Sequence, residues 1–335
     1  MAKEWVDLLR RFESLGGVAQ NICPRQGDLG RGVFPVDEMR YSRILTPENL
    51  LVRADWICLS GEKIVISDEA ALAKNEKVFV EDYYNEFSWG NGGSSDARSF
   101  LEFVTSLPGH VKKLLLKNGF IEGELLEQKL NCSVIFKRFV DERAVIFGSH
   151  RVLAPVWELV NHSSFSAPFR ITSQGLETPP GSISDREILF KYSAANSPIN
   201  LWMKYGFCSS CVLSYSVPFK FEINKNRLVV QCLGLQRVDP VRGVSVSFKN
   251  NLLLIDALPV GSVSTGLAEF NFISALTCVG LSSEVASSFF GEIQEFNLEA
   301  RFEILNALKQ AGCNPRCEIA KSLICEIELI KHSMS

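Results

Sequence analysis

The segment "PVWELVNHSS", residues 155–164, passes from apolar side chains into Asn161, His162 and two serines. Its first half reads as a buried element. A polar pair closing such an element is either a hydrogen-bonded end to the core or one part of a site. The second reading requires polar or glycine-rich features elsewhere in the chain to meet it.

The 335 residues suggest roughly two domains, enough chain to bury a substantial core. Hydrophobic residues make up 46% and charged residues 22%, the composition of a soluble globular protein. A formal net charge of -3 gives no basic patch to argue for nucleic acid. No apolar run reaches the roughly 18–20 residues of a membrane helix. The opening "MAKEWVDLLRRFESLGG" carries charges too early for a secretory leader and reads as an amphipathic helix stopped by Gly16 and Gly17. A cytoplasmic monomer is expected, or a nuclear one in a eukaryote.

Ten cysteines lie mostly among apolar neighbours and are expected as thiols. Cys208 and Cys211 stand at CxxC spacing, Cys313 and Cys317 at CxxxC. A structural zinc needs four ligands and neither pair has a second pair close by in sequence, so no metal is expected. Four histidines do not suggest a metal centre.

Outward from the opening segment, "GDLGRGVFPV" (27–36) reads as a glycine turn entering a short strand. A helical insertion follows at about 68–130, with Asp96 as an N-cap and "SWGNGGSS" (88–95) as a loop inside it. From 132, "CSVIFKRFV", "RAVIFG" and "FRITS" read as strands, as does "EILFKY" (187–192). Strand-like pieces between 213 and 262 precede a helical end that includes "LEARFEILNALKQAG". Strands and helices do not alternate regularly, which excludes a doubly wound sheet and implies an irregular α+β fold. "GDLGRG" is not the dinucleotide fingerprint, and no GxSxG accompanies the Ser-His neighbours at 162–164.

Three features remain, and their order is informative: "GRGVF" near the start, "ELVNHSS" in the middle, and "KYSAANSPINLWMKYGF" (191–207) after it. With Trp5 and "LGG" ahead of them, the chain resembles the SET-domain protein methyltransferases over about residues 5–210, and among these the Rubisco large-subunit lysine methyltransferase group. The resemblance implies a β-rich SET domain over 1–212 with its helical insertion. A mostly helical substrate-recruiting domain would follow over 213–335. It also implies S-adenosyl-L-methionine as cofactor and a protein substrate methylated on lysine, with histidine as the other acceptor.

Residue by residue, Leu29, Gly30, Arg31 and Gly32 match a loop that contacts the methionine part of the cofactor. Asn161 and His162 match a cofactor-binding pair, Tyr192 the catalytic tyrosine, Tyr205 a second tyrosine lining the acceptor channel, and Phe207 an aromatic residue near the adenine. Arg138 in "FKRF" matches a cofactor-touching arginine on Arg and Phe alone. The types suit the chemistry. Glycine lets backbone approach a ligand closely, an amide side chain both donates and accepts, and methyl transfer needs alignment above all. Two positions depart from the family: Glu158 replaces an aspartate, and Ser197-Pro198 replaces Ser-Asn, with Asn196 nearby. The competing reading is a SET-like binding module without catalysis, against which the retained Tyr192 counts.

Overall fold

Trp5, Leu8 and Phe12 recur at helical spacing along helix α1 (Ala2–Ser14), and all three are buried. Phe12 stacks on Phe79 with ring centroids 5.9 Å apart. The helix stops at Gly16, whose φ of +93° suits glycine. Gly17 follows because a β-carbon there would lie 2.5 Å from the Phe12 ring. The computed structural model describes residues 2–123, 129–179, 186–193, 196–223, 228–234 and 246–335. The chain divides into two compact units, one of residues 1–102 and 129–192, the other of 103–128 and 193–335.

The first unit is assembled from small sheets. Strands β1 (Val18–Gln20), β2 (Ile22–Gly27), β3 (Gly30–Pro35) and β4 (Arg43–Pro47) open it, followed by β5 (Val52–Arg53), β6 (Ile57–Ser60) and β7 (Lys63–Ile66). After the helices come β8 (Val145–Phe147), β9 (His150–Leu153), β10 (Asn161–His162), β11 (Arg170–Thr172), β12 (Gly175–Glu177) and β13 (Leu189–Phe190). They pair as an antiparallel sheet β1-β4-β12-β11, a three-stranded sheet β5-β9-β8, the hairpins β2-β3 and β6-β7, and the parallel pair β10-β13. The parallel pair matters most here, because it sets Asn161 opposite Leu189 and His162 opposite Phe190. Next to it the backbone N–H of Ile188 donates to the carbonyl of Val33 at 2.8 Å, so the β3 hairpin joins the same place.

Between β7 and β8 lie α2 (Lys74–Tyr83), α3 (Ser94–Ser106), α4 (Gly109–Lys117) and α5 (Cys132–Arg143). Three sequence expectations fail here. "CSVIFKRFV" is helix, not strand: its β-branched content misleads, while Ile135, Phe139 and Val140 fall on one buried helical face. The Oδ1 of Asn131 caps that helix by accepting from the Val134 N–H at 3.0 Å. "SWGNGGSS" is not an open loop. Residues Tyr84–Gly93 form a π-helical segment interrupted at Asn91 and Gly92. The wide turn is crowded: a β-carbon at Gly90 would lie 1.8 Å from the Asn85 carbonyl, and one at Gly93 would lie 2.7 Å from the Phe139 ring. Gly90 and Gly93 are therefore packing residues, whereas Gly92 serves the backbone with a φ of +100°. Asp96 stands in the first turn of α3 and is not its cap. Tyr83, Tyr84, Trp89 and Phe139 form the aromatic core beside it, with centroids 5.0 to 6.3 Å apart.

The second unit begins its later segment with α6 (Pro198–Tyr205). The Ser197-Pro198 departure has a local cause, for Ser197 Oγ accepts from the Asn200 N–H and Pro198 occupies the first turn. Strands β14 (Leu213–Tyr215), β15 (Phe219–Ile223), β16 (Leu228–Cys232), β17 (Val246–Lys249), β18 (Leu252–Ile255) and β19 (Pro259–Ser262) follow. Four of them form the sheet β15-β16-β18-β17, and β14 pairs with β19. Helices α7 (Leu267–Thr277), α8 (Ser283–Gln310) and α9 (Glu318–Met334) end the chain. Val230, Leu253, Val260, Phe272, Ile293 and Ile330 share one core between sheet and helices. The architecture is α+β with many small sheets and a mostly helical C-terminal region, as the irregular element order implied. Among the described residues no helix is long and apolar enough to cross a membrane.

Candidate active site

Three segments far apart in sequence meet in the first unit. The β2-β3 hairpin supplies Leu29, Gly30, Arg31 and Gly32; β10 supplies Asn161 and His162; the residues around β13 supply Glu187 and Tyr192. Leu29 is half exposed at the hairpin tip. Gly30 takes a φ of +93°, and nothing lies within 4 Å of where its β-carbon would be. The turn therefore needs glycine for its backbone, and that backbone is open to approach. Gly32 is different, since a β-carbon there would lie 1.7 Å from the Glu187 carboxylate and 2.8 Å from Asn161 Nδ2. Its missing side chain makes room for protein groups. Arg31 reaches over to donate to the Asn91 carbonyl at 3.1 Å, so it is not simply a solvated charge.

His162 is 2% exposed. Its Nδ1 accepts the Tyr192 backbone N–H at 3.1 Å, and its Nε2 lies 2.9 Å from Ser164 Oγ. An accepting Nδ1 fixes the tautomer with the proton on Nε2, the neutral form. Burial, with Lys191 adding to it, pushes the His162 pKa down to about 4. The ring is thus a hinge pin between β10 and Tyr192, and a neutral one at physiological pH. Its Cε1 proton shift should stay flat from pH 8 to about 5 in NMR spectra; titration near the ordinary value of about 6.5 would refute the buried neutral assignment. The unfolded chain binds more protons than the folded one between those two pKa values. His162 therefore removes stability as the pH falls through that window.

Tyr192 donates its hydroxyl proton to the Val160 carbonyl at 3.0 Å. Burial raises its pKa well beyond its ordinary value, with Arg143 pulling the other way. It stays protonated at working pH and cannot serve as a general base. With that proton committed, any further partner of the hydroxyl is met as an acceptor. His162 and Phe190 flank it, the Tyr192 ring centroid lying 5.0 Å from His162 and 5.3 Å from Phe190, and Trp157 packs on the Phe190 ring at 4.5 Å. Val156, just before this cluster, has a φ of +68° while fully buried. A β-branched residue there is held by its surroundings at some cost.

Behind the tyrosine lies a buried polar group. Glu158 Oε1 accepts from Tyr83 at 3.2 Å and from Ser88, and Arg143 Nε lies 4.0 Å away. Burial raises the Glu158 pKa, opposed first by Arg143. The cation beside this carboxylate and within electrostatic reach of Tyr192 is thus Arg143, which the sequence did not single out. Its signal in the sequence is a basic residue in the last turn of a helix whose β-branched content favours a strand. Arg138 is engaged by Glu142 at 2.6 Å and lies 3.7 Å over the Phe100 ring. Tyr205 and Phe207 belong to the second unit, where their rings stack at 6.0 Å around Gly206, a helix end with φ +80°. The second unit also holds a cavity of about 580 Å³ whose walls include Asn118, Phe120, Asn200, Met203, Tyr215 and Gln231. Among the described residues no group of three or more His, Cys, Asp or Glu could hold a metal ion.

No protein-family model matches the chain, and no curated protein does. Solved structures similar to it include Rubisco LSMT bound to AdoMet, at 12% identity and a TM-score of 0.42, covering 97% of this chain and 89% of that one. Another is the SET domain of LSMT bound to lysine and AdoHcy, at 12% identity and a TM-score of 0.40, covering 98% and 89%. Rubisco LSMT bound to sinefungin and monomethyllysine is similar at 13% identity and a TM-score of 0.42, covering 97% and 89%.

Proposed function

We propose that the protein is an S-adenosyl-L-methionine-dependent protein methyltransferase with a lysine side chain as acceptor. One observation carries the reading. The three motifs of the family resemblance, 130 residues apart between Arg31 and Asn161 and 30 between His162 and Tyr192, are linked by hydrogen bonds. Asn161 Nδ2 donates to the Arg31 carbonyl at 3.1 Å, and the Tyr192 N–H donates to His162 at 3.1 Å.

Two observations support such a cofactor: the Gly30 backbone is open, and the donor groups of Asn161 and Tyr192 are taken up by the protein's own Arg31 and Val160 carbonyls. When bound, S-adenosylmethionine supplies an electrophilic methyl carbon on a sulfonium. Leu29, Gly30 and Arg31 would flank its amino-acid end, and Asn161 and His162 would hold it. Tyr192, neutral and fixed by Val160, would align the transferring group through its lone pairs. An acceptor lysine must lose a proton from a reference pKa of about 10.4, and an apolar aromatic channel lowers that value. Tyr205 would line that channel, Phe207 would pack on the adenine, and Arg138 would contact the cofactor. Residues 1–212 would carry catalysis and 213–335 would recruit the protein substrate of a cytoplasmic monomer.

Calorimetry with S-adenosylhomocysteine is the direct test. Binding with a Kd of roughly 10 μM or tighter, about 7 kcal/mol, is the expected result. No binding at millimolar ligand would sink both the site and the activity.

A further inference from the structure

The Asn161 amide has two chemically different ends, and the protein commits one of them. Nδ2 donates to the Arg31 carbonyl at 3.1 Å and to Glu187 Oε1 at 2.6 Å. A primary amide nitrogen carries two protons, so both are used. Turning the amide over would set Oδ1 against a carbonyl and a carboxylate, three acceptors with no donor among them. The orientation is therefore dictated by the site's own acceptors. Oδ1 is the end left to meet a ligand, and it can only accept.

We propose that Glu187 is a positioning residue: it holds the Asn161 amide so that Oδ1 accepts a hydrogen bond from an N–H donor of the bound cofactor, the ammonium of its methionine part. The proposal rests on the reading of this site as one for S-adenosylmethionine. Glu187 is built into the place. The Ile188 N–H is tied to Val33, which fixes the adjoining backbone along β3. Gly32 leaves the space that the Glu187 carboxylate fills, and a β-carbon at Gly27 would also come within 3.2 Å of it. The carboxylate is half buried, and burial followed by Asp28 raises its pKa. The cofactor offers two N–H donors, its ammonium and the adenine amine. Asn161 leans on the Arg31 carbonyl in the hairpin that the reading above sets beside the cofactor's amino-acid end, so the ammonium is the donor nearer to Oδ1.

Two ligands separate the sources. S-adenosylhomocysteine has both donors; methylthioadenosine keeps the adenosine and lacks the amino acid. Calorimetry on Glu187→Ala should show S-adenosylhomocysteine weakened about tenfold, with methylthioadenosine changed less than about twofold. Glu187→Gln should restore most of the affinity, because its amide oxygen still accepts from Nδ2. Should the alanine variant not fold, Glu187→Met keeps the volume without the acceptor and reads the same way.

Unchanged affinity in Glu187→Ala overturns the proposal. Equal losses for both ligands overturn it too, by placing the effect on the adenosine or on the fold. So does a glutamine variant as weak as alanine, since charge and not amide orientation would then decide. Failure of the unaltered protein to bind S-adenosylhomocysteine overturns the cofactor reading itself, and is seen before any variant is made.

Discussion

A Tyr192→Phe variant should keep its fold and its affinity for S-adenosylhomocysteine while methyl transfer falls about 100-fold or more. The separation follows from what the hydroxyl does. Its proton is held by the Val160 carbonyl at 3.0 Å, and the ring is held by His162 and Phe190. Phenylalanine keeps the ring contacts and removes only the oxygen. The Val160 carbonyl loses one donor, which costs about 1 kcal/mol of stability. The lone pairs that would align the transferring group are gone altogether, and misplacement by about 1 Å can cost that factor in rate. Labelled cofactor incubated with a cell lysate, followed by mass spectrometry of the labelled proteins, gives the rate. Full transfer by the variant would remove Tyr192 from the role. Lost ligand binding would make it a structural residue instead.

The second large effect concerns stability. Cutting the ion pair between Arg301 and Glu326 should cost about 3–5 kcal/mol, enough to unfold a marginal domain. Both side chains are fully buried, and Arg301 Nε donates to Glu326 Oε2 at 2.7 Å. The remaining atoms are also engaged. Arg301 donates to Asn297 Oδ1 at 2.9 Å and to the Tyr215 carbonyl at 2.6 Å, and Glu326 Oε1 accepts the Ile199 N–H at 3.1 Å. Removing one partner strands the other charge in the core, whereas removing both with apolar residues of like size does not. Urea unfolding of Glu326→Ala, Arg301→Met and Arg301→Met with Glu326→Leu tests this. The double variant should be more stable than either single one. A single variant within about 1 kcal/mol of the parent would show that the pair is solvated and not buried.

Part of the site was legible because its residue types are forced by local backbone chemistry. Gly30 at φ +93° and the polar pair at 161–162 leave marks in the sequence, and so does the helix stop at Gly16. Glu187 and Arg143 were not legible. Each is an ordinary charged residue whose meaning comes from a neighbour far along the chain, 26 residues away for Asn161 and 15 for Glu158. The helix over 132–143 was misread since β-branched residues favour strands on average, while burial of one helical face overrode that preference. The π-helical glycines looked like a loop because composition does not distinguish a glycine needed for freedom from one needed for closeness.

What the sequence determined by itself is the set of short-range constraints. These are the amphipathic first helix, the glycine hairpin, the irregular order of strands and helices, and the identity of the groups that could bind or align a ligand. The tertiary structure alone decided which ends of those groups are available. The parallel pairing of β10 with β13 brings the Tyr192 N–H to His162, and with it fixes the tautomer of the imidazole. The packing of residues 187 and 188 along β3 turns the Asn161 amide one way. Hydrogen-bond direction depends on which acceptors stand within about 3 Å, and for these groups the partners are set by pairings across long stretches of chain.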